Sequence, residues 1–145
     1  MGPHPKRQCE KEKAMKRNAV ITAIAILLSV GLAGCRSGPL YNVKSTHLES
    51  EGKSLKSIGQ NIKSAGRSLG WEMKDQAEGK IRGRLTVSGG KHKASVVITY
   101  NTDTFNITYV DSTNLRYRAD EKTIHPNYNV WVKKLEETIK KRVRN

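Results

Sequence analysis

The sequence predicts an α+β domain: an antiparallel sheet of three to four strands, flanked by an N-terminal and a C-terminal helix that pack on one of its faces (order αβββα). Three observations predict it. Apolar residues recur at helical spacing from Leu55 to Leu69, and again from Tyr128 to Val143. Between them, Gly79 to Val110 alternates apolar and polar residues around two reversals.

The first helix follows from Leu55, Ile58, Ile62, Ala65 and Leu69 on one stripe, with Ser54 as N-cap and Gly70 as terminator. Gly59 and Gly66 lie seven residues apart, hence on nearly the same face, where each weakens a helix by about 1 kcal/mol. Close contact with a sheet is the expected reason. Lys56, Lys63 and Arg67 fall on the opposite, solvated side, and Trp71 closes the end of the core.

The strands come next. Ile81, Leu85 and Val87 alternate with Lys80, Arg82, Arg84 and Thr86, the pattern of a half-buried strand. Folding on a Gly89-Gly90 turn sets Val87 against His92, Leu85 against Ala94, Gly83 against Val96 and Ile81 against Ile98. A second reversal over Asn101–Thr104 sets Tyr100 against Phe105, Ile98 against Ile107 and Val96 against Tyr109. Both hairpins choose the same inward face, so the register is self-consistent. Asp111-Ser112-Thr113-Asn114 reads as a turn, and Leu115 and Tyr117 as the start of a short fourth strand. Pro126 opens the last helix, whose stripe is Tyr128, Trp131, Val132, Leu135, Ile139 and Val143. Glu136–Lys140 and Glu137–Lys141 support it as i,i+4 pairs, and its basic C-terminus complements the helix dipole.

Upstream of the domain, Lys16 and Arg17 precede an uncharged, largely apolar run, Ala19 to Val30, and then Leu32-Ala33-Gly34-Cys35. Charge, apolar core, small residues and a cut form the layout of a secretory signal. The fifteen residues Ala19–Ala33 span only about 22 Å as a helix, short of the roughly 30 Å hydrocarbon core, which disfavours a transmembrane anchor. The cysteine after small residues resembles the lipobox of bacterial lipoproteins. That resemblance implies a diacylglyceryl thioether on Cys35, cleavage between Gly34 and Cys35, and an N-acyl chain on the new amine. Two or more acyl chains make such an anchor stable. Arg36 stands where an aspartate signals inner-membrane retention in many enteric bacteria, which favours the outer membrane. Residues 1–34 are read as an upstream extension (Met1–Ala14) and signal peptide, both removed.

Residues 35–54 are read as the lipidated cysteine and a flexible tether: Arg36–Ser54 is polar, carries Gly38, Pro39 and Gly52, and lacks an apolar period. Its nineteen residues would stand the domain, 55–145, off the bilayer by about 24 Å. Docking of Tyr41, Val43 and Leu48 on the domain is the alternative.

The whole chain carries 27 Lys+Arg and 13 Asp+Glu; removing the six and two that precede Cys35 leaves a net charge of +10. Such an excess attracts polyanions, including acidic lipid headgroups and phosphorylated glycans. With Cys35 taken by lipid, no intramolecular disulfide or cysteine-based metal site is possible. The exposed sheet face gathers Lys80, Arg82, Arg84, Lys91 and Lys93 among Thr86, Ser95 and Thr99. It reads as a candidate anion-binding face, with an ordinary solvated face as the plainer alternative. No aromatic residue sits among these charges to stack on bases, so nucleic acid is not an expected partner.

Nothing in the sequence announces catalysis or a metal. His47, His92 and His125 share no ligand spacing; His92 falls on the inward face as a hydrogen-bonded histidine, and His125 caps the last helix. Gly89-Gly90-Lys91 lacks the rest of a phosphate loop. Asn106-Ile107-Thr108 matches a glycosylation sequon, which has no relevance in a bacterial lipoprotein. The pattern Gly70-Trp71, His92-x-Ala94-x-Val96-x-Ile98-x-Tyr100, Ile107-x-Tyr109 and Ile124-His125-Pro126-Asn127-Tyr128-Asn129-x-Trp131-Val132 resembles small bacterial lipoproteins of uncharacterised role. That resemblance implies no catalytic residue. The expectation is a non-enzymatic envelope lipoprotein with no cofactor beyond the acyl chains on Cys35. Its partners are the membrane and an envelope protein, or an anionic lipid or glycan.

Overall fold

Two hairpins set the frame. In the computed structural model, which describes residues 37–145, the paired strands are β4 (Lys80–Val87), β5 (His92–Tyr100) and β6 (Thr104–Thr113). Val87 faces His92, Leu85 faces Ala94, Gly83 faces Val96 and Ile81 faces Ile98, while Tyr100, Ile98 and Val96 face Phe105, Ile107 and Tyr109. The β4–β5 turn has both glycines in the left-handed region (φ 63° at Gly89, 91° at Gly90), where a side chain is disfavoured and the turn twist matches the strands. At the β5–β6 reversal, Asn101 Oδ1 accepts from the amides of Asp103 and Thr104 at 2.8 and 2.7 Å. One register slip, between Ser95 and Val96, leaves Val110 as the extra residue of β6.

The sheet is larger than three or four strands. β3 (Trp71–Ala77) joins β4 along its other side, and β2 (Val43–His47) joins β6, giving five antiparallel strands in the order β2-β6-β5-β4-β3. A separate two-stranded ribbon pairs β1 (Gly38–Pro39) with β7 (Thr123–Ile124). The edge strands are irregular: the register slips between Val43 and Thr46 in β2 and between Asp75 and Ala77 in β3.

Two expectations change here. The stretch read as a tether is folded from Gly38 onward. Val43 and Leu48 are each only 2% exposed, and burying side chains of this size contributes about 1.5–3 kcal/mol apiece. Hydrogen bonds complete the attachment: Leu40 N donates to Lys122 O, Tyr41 N to Asn129 Oδ1 and Leu48 N to Asp103 O. The second change concerns the stretch after Val110: Asp111-Ser112-Thr113 continues β6 against β5 instead of turning, and Leu115 and Tyr117 do not begin a strand of the main sheet. Leu115 is buried, its carbonyl taken by His125 N, and the following residues form a small turn closed by an Arg118–Thr123 bridge.

Helix α1 (Leu55–Ser68) is capped by Ser54, whose Oγ accepts from Ser57 N at 3.2 Å, and helix α2 (Pro126–Arg144) by His125, whose Nδ1 accepts from Asn127 N. Ile58, Ile62 and Ala65 of α1 and Tyr128, Val132, Leu135, Ile139 and Val143 of α2 join one buried cluster with the inward residues of the sheet. Gly59 and Gly66 are where α1 touches the strands: a Cβ on Gly59 would lie 2.3 Å from the Tyr100 hydroxyl oxygen, and one on Gly66 would lie 2.4 Å from Met73 Sδ. Trp71 is buried as the first residue of β3. His92 is half-buried rather than core, and its Nδ1 donates to Asn114 O at 3.1 Å.

Candidate functional site

Alternation decides what the open face of the sheet displays. With Trp71, Met73, Ile81, Leu85, Ala94, Val96 and Ile98 turned to the helices, the intervening residues of β3, β4 and β5 turn the other way. Strand register then arranges them in rows. One row runs Glu72–Arg84–Ser95–Asp111, the next Lys74–Arg82–Val97–Thr108, and Thr86–Lys93–Thr113 lies on the other side of the first.

Arg82, Arg84 and Lys93 are thereby brought together around a depression of about 490 Å³, with Thr86, Ser95 and Thr113 also on its wall. Lys80 and Lys91 are not part of it. Lys80 sits opposite Thr99 at the far end of β4, and Lys91 lies in the β4–β5 turn, where its carbonyl accepts from Asn114 Nδ2. Two carboxylates that the sequence reading did not place here, Glu72 and Asp111, also line the depression. Glu72 is tied to Lys74 at 2.9 Å; that hydrogen bond and the charge of Lys74, with Arg84 beyond, hold the Glu72 carboxyl below its usual range despite a small opposing effect of burial.

The arrangement is therefore zwitterionic rather than purely basic. Arg82 Nε is buried and has no hydrogen-bond partner within the described residues, a donor left open on the cationic side. A simple anion held by Arg82, Arg84 and Lys93 would meet two carboxylates within the same depression. A ligand carrying an anionic group together with hydroxyls satisfies both: the anion accepts from the guanidinium groups, and the hydroxyls donate to Glu72 and Asp111.

His47 lies with Glu49, Glu137, Lys140, Lys141 and Arg144 along a groove of about 260 Å³ between β2 and the C-terminal turns of α2. Among the described residues, no three His, Cys, Asp or Glu side chains group as metal ligands, and no helix is long and apolar enough to cross a membrane. Gly34, Cys35 and the rest of the lipobox lie outside the described residues.

Comparison with protein-family models, with curated proteins and with solved structures finds no match to this chain.

Proposed function

We propose that the chain is a bacterial envelope lipoprotein, anchored in the membrane by acyl chains on Cys35, whose α+β domain binds or scaffolds another envelope component without catalysing a reaction. The observation that carries this reading is the order charge, apolar run, Leu32-Ala33-Gly34-Cys35, set immediately before a folded domain. Arg36 in place of an aspartate favours the outer membrane, with the domain facing the periplasm. Metabolic labelling with a fatty acid tests it. Wild-type protein should take up label and Cys35→Ala should not; unlabelled wild-type protein would remove the anchor and with it the address.

A second reading has its own observation. The gathering of Arg82, Arg84 and Lys93 around one depression with Glu72 and Asp111 supports binding of an anionic, hydroxyl-bearing envelope ligand such as a phosphorylated glycan, a lipid headgroup or lipopolysaccharide. Reversal of Arg82, Arg84 and Lys93 to Glu should abolish retention on an immobilised anionic glycan. Retention equal to wild type would rule this face out.

A further inference from the structure

We infer that the corner of the domain where the chain enters the sheet is a bilayer-facing surface, seated on anionic phospholipid headgroups around the acylated cysteine. This rests on the lipidation proposed above. Gly38 is three residues from Cys35, so the extended chain between them reaches at most about 11 Å. Gly38 and Pro39 are themselves fixed, paired to Ile124 and Thr123, and Asn129 Nδ2 donates to Pro39 O at 2.8 Å. A domain sewn down this close to its anchor has no slack to stand away, and the corner around Gly38 must lie near the headgroups.

The side chains at that corner suit the position. Three large apolar residues remain exposed among the described residues, Val110, Tyr117 and Val130. Each adjoins a residue bonded to the leading segment or to its partner strand. Val110 follows Tyr109, whose amide donates to Asn42 Oδ1; Val130 follows Asn129; Tyr117 precedes Arg118, bridged to Thr123. Cations accompany them. Lys122 O accepts from Leu40 N, Lys133 Nζ lies 5.2 Å over the Tyr41 ring, and Arg116 is exposed in the same loop as Lys122. Arg116 and Lys122 hold left-handed backbone (φ 51° and 50°), a conformation that glycine or asparagine adopts more cheaply. Among the described residues no salt bridge engages Arg116, Lys122 or Lys133, whereas Arg118 between them is paired with Asp120 and Glu121. Apolar tips ringed by cations that no salt bridge among the described residues engages are the composition that settles at the boundary between headgroups and acyl chains.

The test uses the mature, lipidated protein reconstituted in phosphatidylcholine vesicles with and without phosphatidylglycerol. A fluorophore is placed at Val130→Cys or at Thr102→Cys; Thr102 lies in the β5–β6 turn, toward which β2 runs as it leaves Gly38. With a headgroup-linked quencher in the bilayer, position 130 should be quenched several-fold more than position 102, and more strongly when phosphatidylglycerol is present. Reversing Arg116, Lys122 and Lys133 to Glu should weaken docking about fivefold per cation and erase the lipid dependence. Equal quenching at both positions, or a charge-reversed variant of wild-type circular dichroism that docks unchanged, would overturn the assignment. Protection of position 130 in native envelopes but not in vesicles would also overturn it, in favour of a protein partner. The mass of Cys35 in the same preparation separates the failures: a bare thiol sinks the lipidation reading, whereas an acylated cysteine with equal quenching sinks only the bilayer-facing surface.

Discussion

Replacing each of the two contact glycines of α1 by alanine turns the helix–sheet approach into a measurement. Both substitutions gain about 1 kcal/mol of helix propensity, because alanine has less backbone freedom to lose. They differ in what the new methyl meets. At Gly66 it lies 2.4, 2.7 and 2.8 Å from Met73 Sδ, Cε and Cγ, so most of a side chain only 5% exposed has to move. Overpacking of that kind costs about 1–3 kcal/mol, and Gly66→Ala should be destabilised by about 1 kcal/mol net. At Gly59 the methyl meets chiefly the hydroxyl end of Tyr100, a half-buried ring that can swing toward solvent, so Gly59→Ala should fall within about 0.5 kcal/mol of wild type. Urea unfolding followed by circular dichroism reads the difference as a shift in midpoint at constant slope. The clash has a specific partner, so Met73→Ala should cost less in the Gly66→Ala background than in wild type, by about 1 kcal/mol of coupling. If Gly66→Ala is as stable as Gly59→Ala, or the two Met73→Ala penalties are equal, the close approach does not limit this helix.

Three further outcomes follow from the packing. The Tyr128 hydroxyl is buried without a partner among the described residues, and its burial pushes the phenol well above its usual pKa; Tyr128→Phe should be neutral or raise stability by about 1 kcal/mol, read from the urea midpoint. Asn129 holds both Pro39 O and Tyr41 N, so Asn129→Ala should speed limited proteolysis within residues 37–42 while leaving the sheet's circular dichroism unchanged. Tyr41 donates to Glu136 at 2.7 Å; that bond, then burial and the charges of Glu136 and Glu137, raise its pKa. A raised folded-state pKa contributes stability that is complete below the unfolded value, about 10, and is lost as pH rises through the folded one. The leading segment should therefore become protease-sensitive in alkaline solution above about pH 10, and Tyr41→Phe should be sensitive already at neutral pH.

How far the sequence could be read depended on how regular each element is. The β4–β5–β6 register was legible residue by residue because inward side chains alternate without interruption from Ile81 to Val87 and from Ala94 to Ile98, with glycines at the first turn. Both helices were legible from their stripes. β3 escaped because only Trp71 and Met73 alternate before a run of exposed polar and charged residues, too short a signal for a strand. β2 escaped for a different reason. Val43 and Leu48 are both buried yet five residues apart, a spacing that a period of two assigns to opposite faces; the slip before Thr46 and the left-handed Ser45 (φ 47°) reconcile them. The same irregularities shaped the site. Arg82, Arg84 and Lys93 could be placed on one face from alternation alone, but Glu72 required β3, and Asp111 required that β6 continue past Val110 rather than turn.

The uneven margins of the sheet bear on how many copies can crowd together. An uninterrupted rim of backbone amides invites a neighbour to add its own strand, and the addition repeats without limit. Here Ser45 N is already taken by Asn106 Oδ1 at 2.8 Å and the ladder of β2 breaks beside it, while β3 carries Glu72 and Lys74 and slips before Ala77. Neither rim offers a straight template, so molecules can collide often without polymerising.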